Sequence, residues 1–288
     1  MIGVRFALYA DLMLLFGLPL FALYAPGGRD TIGVRWPALA ILALLGLALS
    51  LLSIALMTAS MAGVPLDQVD PDAIRMMVTD TPMGQAWVVR MIALAVLLGV
   101  ILIRHRAFEV AALLAAFALG SLAWTGHGAA GEGSAGTFQM VADIAHMLAA
   151  AAWIGALVGL GTMVFGTGDL KTAYAALDQF SRAGSIIVGI MIASGLINSA
   201  YLVGVSHLAD LPSTLYGQLL IVKLVLFTGM LVIAAHNRFR LTPALAPIGG
   251  SSPSFGAIRL SLSLEAGAAT AILALVAWIG TLQPPMSA

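Results

Sequence analysis

Eight long apolar runs, near 5–24, 36–59, 84–103, 107–126, 139–165, 180–204, 214–236 and 256–281, follow one another with only short polar stretches between them. Each is long enough to cross the bilayer's hydrocarbon core as a helix, which takes about 20 residues. With 61% of its residues hydrophobic and 9% charged, the chain is far from the composition of a soluble domain. The runs are continuous, whereas a membrane barrel shows alternating segments of roughly 10 residues. The expected fold is therefore all-α: a polytopic membrane bundle of about eight helices forming one integral domain over 1–288, with a weak division into four-helix halves at 1–126 and 139–288. The first run reads as a retained span rather than a signal peptide, because Asp11 interrupts it and Ala25-Pro26 is a poor cleavage site.

Charge sets the orientation and removes some functions. Thirteen basic and thirteen acidic residues cancel, so there is no basic field to hold nucleic acid. The chain has no Cys, which excludes disulfides, thiolate metal sites and iron–sulfur clusters and leaves Met and His as the soft metal ligands. Arg29, Arg35, Arg104, Arg106, Lys171, Arg182, Arg238, Arg240 and Arg259 fall in or beside the odd-numbered loops, and the even loops carry Asp67, Asp70, Asp72, Asp80, Glu132 and Asp210 with Arg75 as their only basic residue. The positive-inside rule makes the odd loops cytoplasmic. Both termini then face the outer side, which is the periplasm for a bacterial inner-membrane protein; Arg5 is a mild exception.

Ionisable groups within spans are costly in lipid and mark candidate functional positions. At about 1.5 Å per helical residue, Asp11, Arg90, Asp143, His146, Asn198 and Lys223 all fall in the outer half, and His127 caps the fourth span at the outer surface. The inner half holds few such groups apart from Glu265, which either continues a path or pairs helices. Together these positions predict an outward-facing polar pocket. Asp143 and His146 are three residues apart and share a helix face, so both can ligate one ion, or Asp143 can orient the imidazole of a metal-bound His146. A third reading makes Asp143 the partner of Arg90 or Lys223 in a purely structural pair. His127 stands in Trp124-Thr125-Gly126-His127-Gly128 ahead of a glycine-rich stretch, as a ligand or a solvated tip.

Methionines cluster on the same side. Met57 and Met61 share a face at the outer end of the second span, and Met140 and Met147 bracket Asp143 and His146. Thioethers favour Cu(I), and imidazole accepts either copper oxidation state; core packing is the competing explanation for each Met. His105, His207 and His236 read as interfacial. A haem-binding oxidoreductase with bundle histidines as axial ligands is the alternative, with His127 and His146 facing one another across the core.

Four stretches carry a family resemblance: Thr125-Gly126-His127-Gly128; the run from His146 to Gly155; Phe180-Ser181-Arg182-Ala183-Gly184 with Ser194-Gly195-Leu196-Ile197-Asn198; and Tyr216-Gly217-Gln218-Leu219-Leu220-Ile221-Val222-Lys223 continuing to Asn237-Arg238-Phe239-Arg240-Leu241-Thr242-Pro243. As a set they resemble the CopD/PcoD family of bacterial inner-membrane copper proteins. The resemblance implies copper, as Cu(I) or Cu(II), moving from periplasm to cytoplasm, and a separate periplasmic donor resembling CopC. It does not say which residues touch the metal. On the residues themselves, the candidate metal set is His146, His127, Asp143, Met61, Met57 and Met147, with Asp11, Arg90, Asn198 and Lys223 organising the pocket and no catalytic group assigned. A short likeness between Ala10-Asp11-Leu12-Met13 and Ala145-His146-Met147-Leu148 suggests that Asp11 stands opposite His146.

Overall fold

A computed structural model describes residues 1–33, 35–125, 133–166, 170–244 and 256–283. His127, Glu132 and the side chain of His207 therefore lie outside the described residues. Eight helices are long and apolar enough to cross a membrane: α1 (Ile2–Tyr24), α2 (Trp36–Ala62), α3 (Pro82–Ile103), α4 (Phe108–Gly120, extended by a 3₁₀ turn to Thr125), α5 (Gly133–Phe165), α6 (Leu170–Leu202), α7 (Leu215–His236) and α8 (Gly256–Ile279). An even number of crossings puts the two ends of the chain on the same face. The helices fall on the expected runs, with α5 and α6 extended. At 33 residues each they span about 50 Å, more than a bilayer core requires. The extra turns are glycine-rich and polar at the start of α5 and charged at the start of α6, where Arg182 pairs with Asp178 at 2.6 Å.

The long loop between α2 and α3 holds a short helix, Pro71–Asp80, whose first turn is capped by the Asp70 side chain accepting from the Asp72 amide at 2.9 Å. At the opposite, basic face, the α1–α2 and α3–α4 turns are tied together by Arg29 with Glu109 and by Arg106 with Asp30. These four groups are exposed, and such pairs are individually weak. Two indoles fix α2 against α3 more firmly: Trp36 donates to the Ile101 carbonyl at 2.9 Å, and Trp87 to the Ser50 carbonyl at 2.8 Å.

Helix α1 is the central post, packing on α2, α4, α5 and α8. Its closest neighbour is α5, and small residues explain why. Lipid gives apolar helices no reason to associate for burial alone, so close approach depends on side chains small enough to let backbones meet. Gly17 on α1 lies against the backbone of Ala151 and Gly155 on α5, and one turn further Phe21 lies over Gly159. Ala151, Gly155 and Gly159 thus form a stripe at four-residue spacing. A Cβ at Gly155 would collide with the Gly17 backbone, whereas one at Gly161, on the same helix, meets nothing. Gly155→Ala is expected to destabilise the protein by about 1–3 kcal/mol through overpacking. Gly161→Ala is expected to be neutral or slightly stabilising, as glycine in a helix interior costs about 0.5–1 kcal/mol relative to alanine. Thermal unfolding in detergent compares the two directly.

Candidate functional site

The i, i+3 pair on α5 meets a matching i, i+4 pair on α6. The two helices run antiparallel, so stepping inward along α5 from Asp143 to His146 corresponds to stepping back along α6 from Asn198 to Ser194. Asn198 Nδ2 donates to Asp143 Oδ1 at 3.3 Å, and His146 Nδ1 lies 3.0 Å from Ser194 Oγ and 3.2 Å from the Met191 carbonyl. The Ser194 hydroxyl has one proton, and it already donates to the Ile190 carbonyl at 2.5 Å. Nδ1 is therefore the protonated nitrogen, donating to the Met191 carbonyl and Ser194, and Nε2 keeps its lone pair. That is the arrangement in which an outer-shell partner fixes a ligating histidine. The ring packs over Gly195, where a Cβ would stand 3.5 Å from the imidazole in ordinary contact, so this position does not require a glycine.

Charge reaches this cluster from α1 and α7. Lys223 acts electrostatically on both Asp143 and His146, and Tyr9 is within the electrostatic reach of Arg5, Arg90 and Asp143. None of the close ion pairs among the described residues involves Asp143, Lys223 or Arg90. Asp143 therefore stands in a field of positive charge while directly holding only the Asn198 amide, rather than serving as one half of a tight structural pair. Arg90 is 1% exposed, with Nε and Nη1 lacking a hydrogen-bond partner.

Asp11 stands apart from this group. It is 3% exposed, both of its oxygens lack a partner, and it lies against Gly46 on α2, where Leu12 and Leu94 also pack. It faces α2 and α3 rather than His146. In the parallel α1–α5 packing Gly17 meets Gly155, so the likeness of the Asp11 and His146 segments is displaced by about a turn from the actual register. The methionines separate as well. Met57 and Met1 line a small crevice at the end of the bundle where α1 begins, with Arg5, Tyr9 and Thr125, Met61 is 73% exposed, and Met147 is buried in the apolar core. No group of three His, Cys, Asp or Glu side chains suited to a metal occurs among the described residues. His105 packs on Trp36, with 6.0 Å between ring centroids, and His236 ends α7; both lie at the other end of the bundle from His146.

Ser194, Tyr9 and Met1 are the contributors that sequence reasoning passed over. Ser194 had a legible signal, four residues before Asn198 and so on its face. A buried carboxyl without partners carries a cost that an apolar group of similar shape avoids. Asp11→Leu, which branches at the same carbon, is expected to raise stability by about 1–3 kcal/mol in thermal unfolding if the residue's only role is packing between α1, α2 and α3.

Comparison with known proteins places this chain in a family. Residues 1–137 match the model described as Copper resistance protein D-like, N-terminal domain, and residues 174–279 match Copper resistance protein D. The chain is 42% identical over 306 residues to Copper resistance protein D of Pseudomonas syringae pv. tomato, covering 100% of this chain and 97% of that protein. It is 27% identical to Inner membrane protein YebZ of Escherichia coli (strain K12), with 98% of each covered. It is 31% identical to Copper transport protein CutJ of Bacillus subtilis (strain 168), over 83% of this chain and 46% of that protein. No solved structure matches. The chain is an integral membrane protein that belongs to the copper resistance protein D (CopD) family.

Proposed function

We propose that this protein takes up copper at its outer face and passes it inward, with His146 Nε2 as the central ligand. The observation that carries this reading is the seat of His146: Nδ1 lies 3.2 Å from the Met191 carbonyl and 3.0 Å from Ser194 Oγ, which engages that nitrogen and, among the described residues, leaves the other available to a metal. Asp143, one turn further out on the same helix, either completes the coordination or holds a metal-bound water. Lys223 offsets the Asp143 charge before an ion arrives. The crevice with Met1 and Met57 offers thioethers near Thr125, two residues before His127, and thioethers suit Cu(I).

The basic loops support an orientation with both termini in the periplasm by the positive-inside rule, and the relatives include a protein named for copper transport and one named for the inner membrane. On this reading the protein sits in a bacterial inner membrane and takes copper from a separate periplasmic donor.

Copper retained by the purified protein, measured by elemental analysis against protein concentration, tests the assignment. His146→Ala is expected to abolish retention. Ser194→Ala and Asp143→Asn are expected to weaken affinity about tenfold or more, as outer-shell and ligand changes do in metal sites. A His146→Ala protein that keeps full copper binding and supports full uptake overturns the reading.

A further inference from the structure

A cleft of about 930 Å³ lies between α5, α6, α7 and α8, in the half of the bundle nearer the basic loops. It exists because α6 and α7 hardly touch: α6 packs on α5, and α7 packs mainly on α8. Gly184 on α6 and Ala234 and Ala235 on α7 belong to its lining. Small residues commonly let membrane helices close on one another, but these two helices stand apart, and the same residues leave room between them. Along α6 the lining runs from Leu177 to Val188. That is a rise of about 16 Å, close to one leaflet of a hydrocarbon core about 30 Å thick. Two of the stretches that carry the family resemblance, 180–184 and 237–243, contribute to this lining, and neither has a part in the copper reading.

The interior of the cleft is apolar. Val188, Leu231 and Leu262 line it together with Trp153 and Phe180, which meet edge to face at 5.3 Å. The one carboxyl group in the lining is withdrawn into the wall: Glu265 is 1% exposed and accepts from Asn237 Nδ2. The mouth differs. A π-helical turn, Asn237–Leu241, follows α7 there, and within it Arg238 donates to Ser185 and lies 5.8 Å or less from an aromatic face, its Cζ standing 5.3 Å from the centroid of the Phe239 ring. Ser185 gives its own proton to the Ser181 carbonyl at 3.3 Å, so its oxygen serves as the acceptor that holds the guanidinium at the mouth. A guanidinium has five N–H donors, and no close ion pair among the described residues uses Arg238 or Arg240. Arg182 on α6 adds to the positive charge at this end, with Asp178 as its partner.

An apolar slot about one leaflet deep under a cationic rim suits a molecule with a hydrocarbon tail and an anionic head. We propose that the cleft is a binding site for an anionic phospholipid of the surrounding bilayer. One acyl chain lies between α6 and α7 against Trp153 and Phe180, and the phosphate meets Arg238, with the Ser181 hydroxyl donating beside it. Basic pockets between membrane helices are where acidic headgroups are recognised, and a planar guanidinium bonds two phosphate oxygens at once. A zwitterionic lipid offers the same phosphate but brings its own cation to a rim that is already positive, so the site selects for net negative charge. Nothing in this assignment depends on copper at His146.

The test is which phospholipid stays with the protein. The full chain, purified in mild detergent, is incubated with an equimolar mixture of palmitoyl-oleoyl phosphatidylglycerol and palmitoyl-oleoyl phosphatidylcholine, and retained lipid is counted by native mass spectrometry. The wild type is expected to retain phosphatidylglycerol about tenfold or more over phosphatidylcholine, the ratio that one hydrogen-bonded charge supplies. Arg238→Gln, which keeps a donor at the mouth without the charge, is expected to lose that preference. Ala234→Phe, which fills the slot between α6 and α7, is expected to lose the retained lipid of either kind. Thermal unfolding without added lipid reports that each variant has folded. Equal retention of the two lipids by the wild type overturns the proposal, as does an unchanged preference in Arg238→Gln. Wild-type retention by a folded Ala234→Phe places the lipid elsewhere on the surface and overturns it too, and so does a bound mass that is not a phospholipid.

Discussion

The contact between Gly17 and the Ala151–Gly155 turn is the interaction on which the rest of the molecule depends. In lipid, helices gain nothing by hiding apolar side chains from one another, so the backbone approach permitted by small residues supplies much of the association. It fixes α1 against α5 in parallel and in one register. Tyr9 and Arg5 are thereby held at the level of Asp143, two to three turns up the same pair of helices. A larger residue in that stripe would displace the charges above it as well as the packing around it.

The second constraint is that polar groups within a membrane must find partners inside the protein. The cluster around Asp143 and His146 meets it by complementary spacing: two residues on α5 face two on α6, each pair one turn apart, and hydrogen bonds cross between them at both levels. Placing His146 beside the Met191 carbonyl and Ser194 orders the ring and leaves one nitrogen uncommitted. Asp11, Arg90, Asn237 and Trp153 meet the constraint incompletely. Asp11 sits in a tight apolar seat beside Gly46, whereas Asn237 and Trp153 stand in the walls of a cleft between α5, α6, α7 and α8.

The spans were legible in the sequence because hydrophobic length is a local property: all eight runs became helices. The Asp143 and His146 pairing was also legible, since three-residue spacing on a helix fixes a shared face. Which groups meet across helices was not. Nothing in the α1 sequence says that Asp11 turns toward α2 and α3 while Tyr9 turns toward the cluster, because that depends on the rotation of α1 set by glycine packing with α5. Depth alone grouped Asp11 with His146; the angular position around the helix separated them. Met61 illustrates the same point, sharing a face with Met57 by spacing yet standing 73% exposed beyond the crevice that Met57 lines.

The two sides of the bundle are held together very differently. Half or more of the most apolar stretch is buried for α1 and for α5, but only 11% for α6 and 6% for α7. The low values mark faces turned to lipid, and α6 still packs extensively on α5. Helix α7 carries Lys223 within electrostatic reach of Asp143 and His146 and ends at His236, next to Asn237 in the wall of the cleft, so one lipid-facing element touches both depths. The packing asymmetry thus sets the well-buried α1 and α5 on one side of the Asp143 and His146 cluster and the lipid-facing α7 on the other.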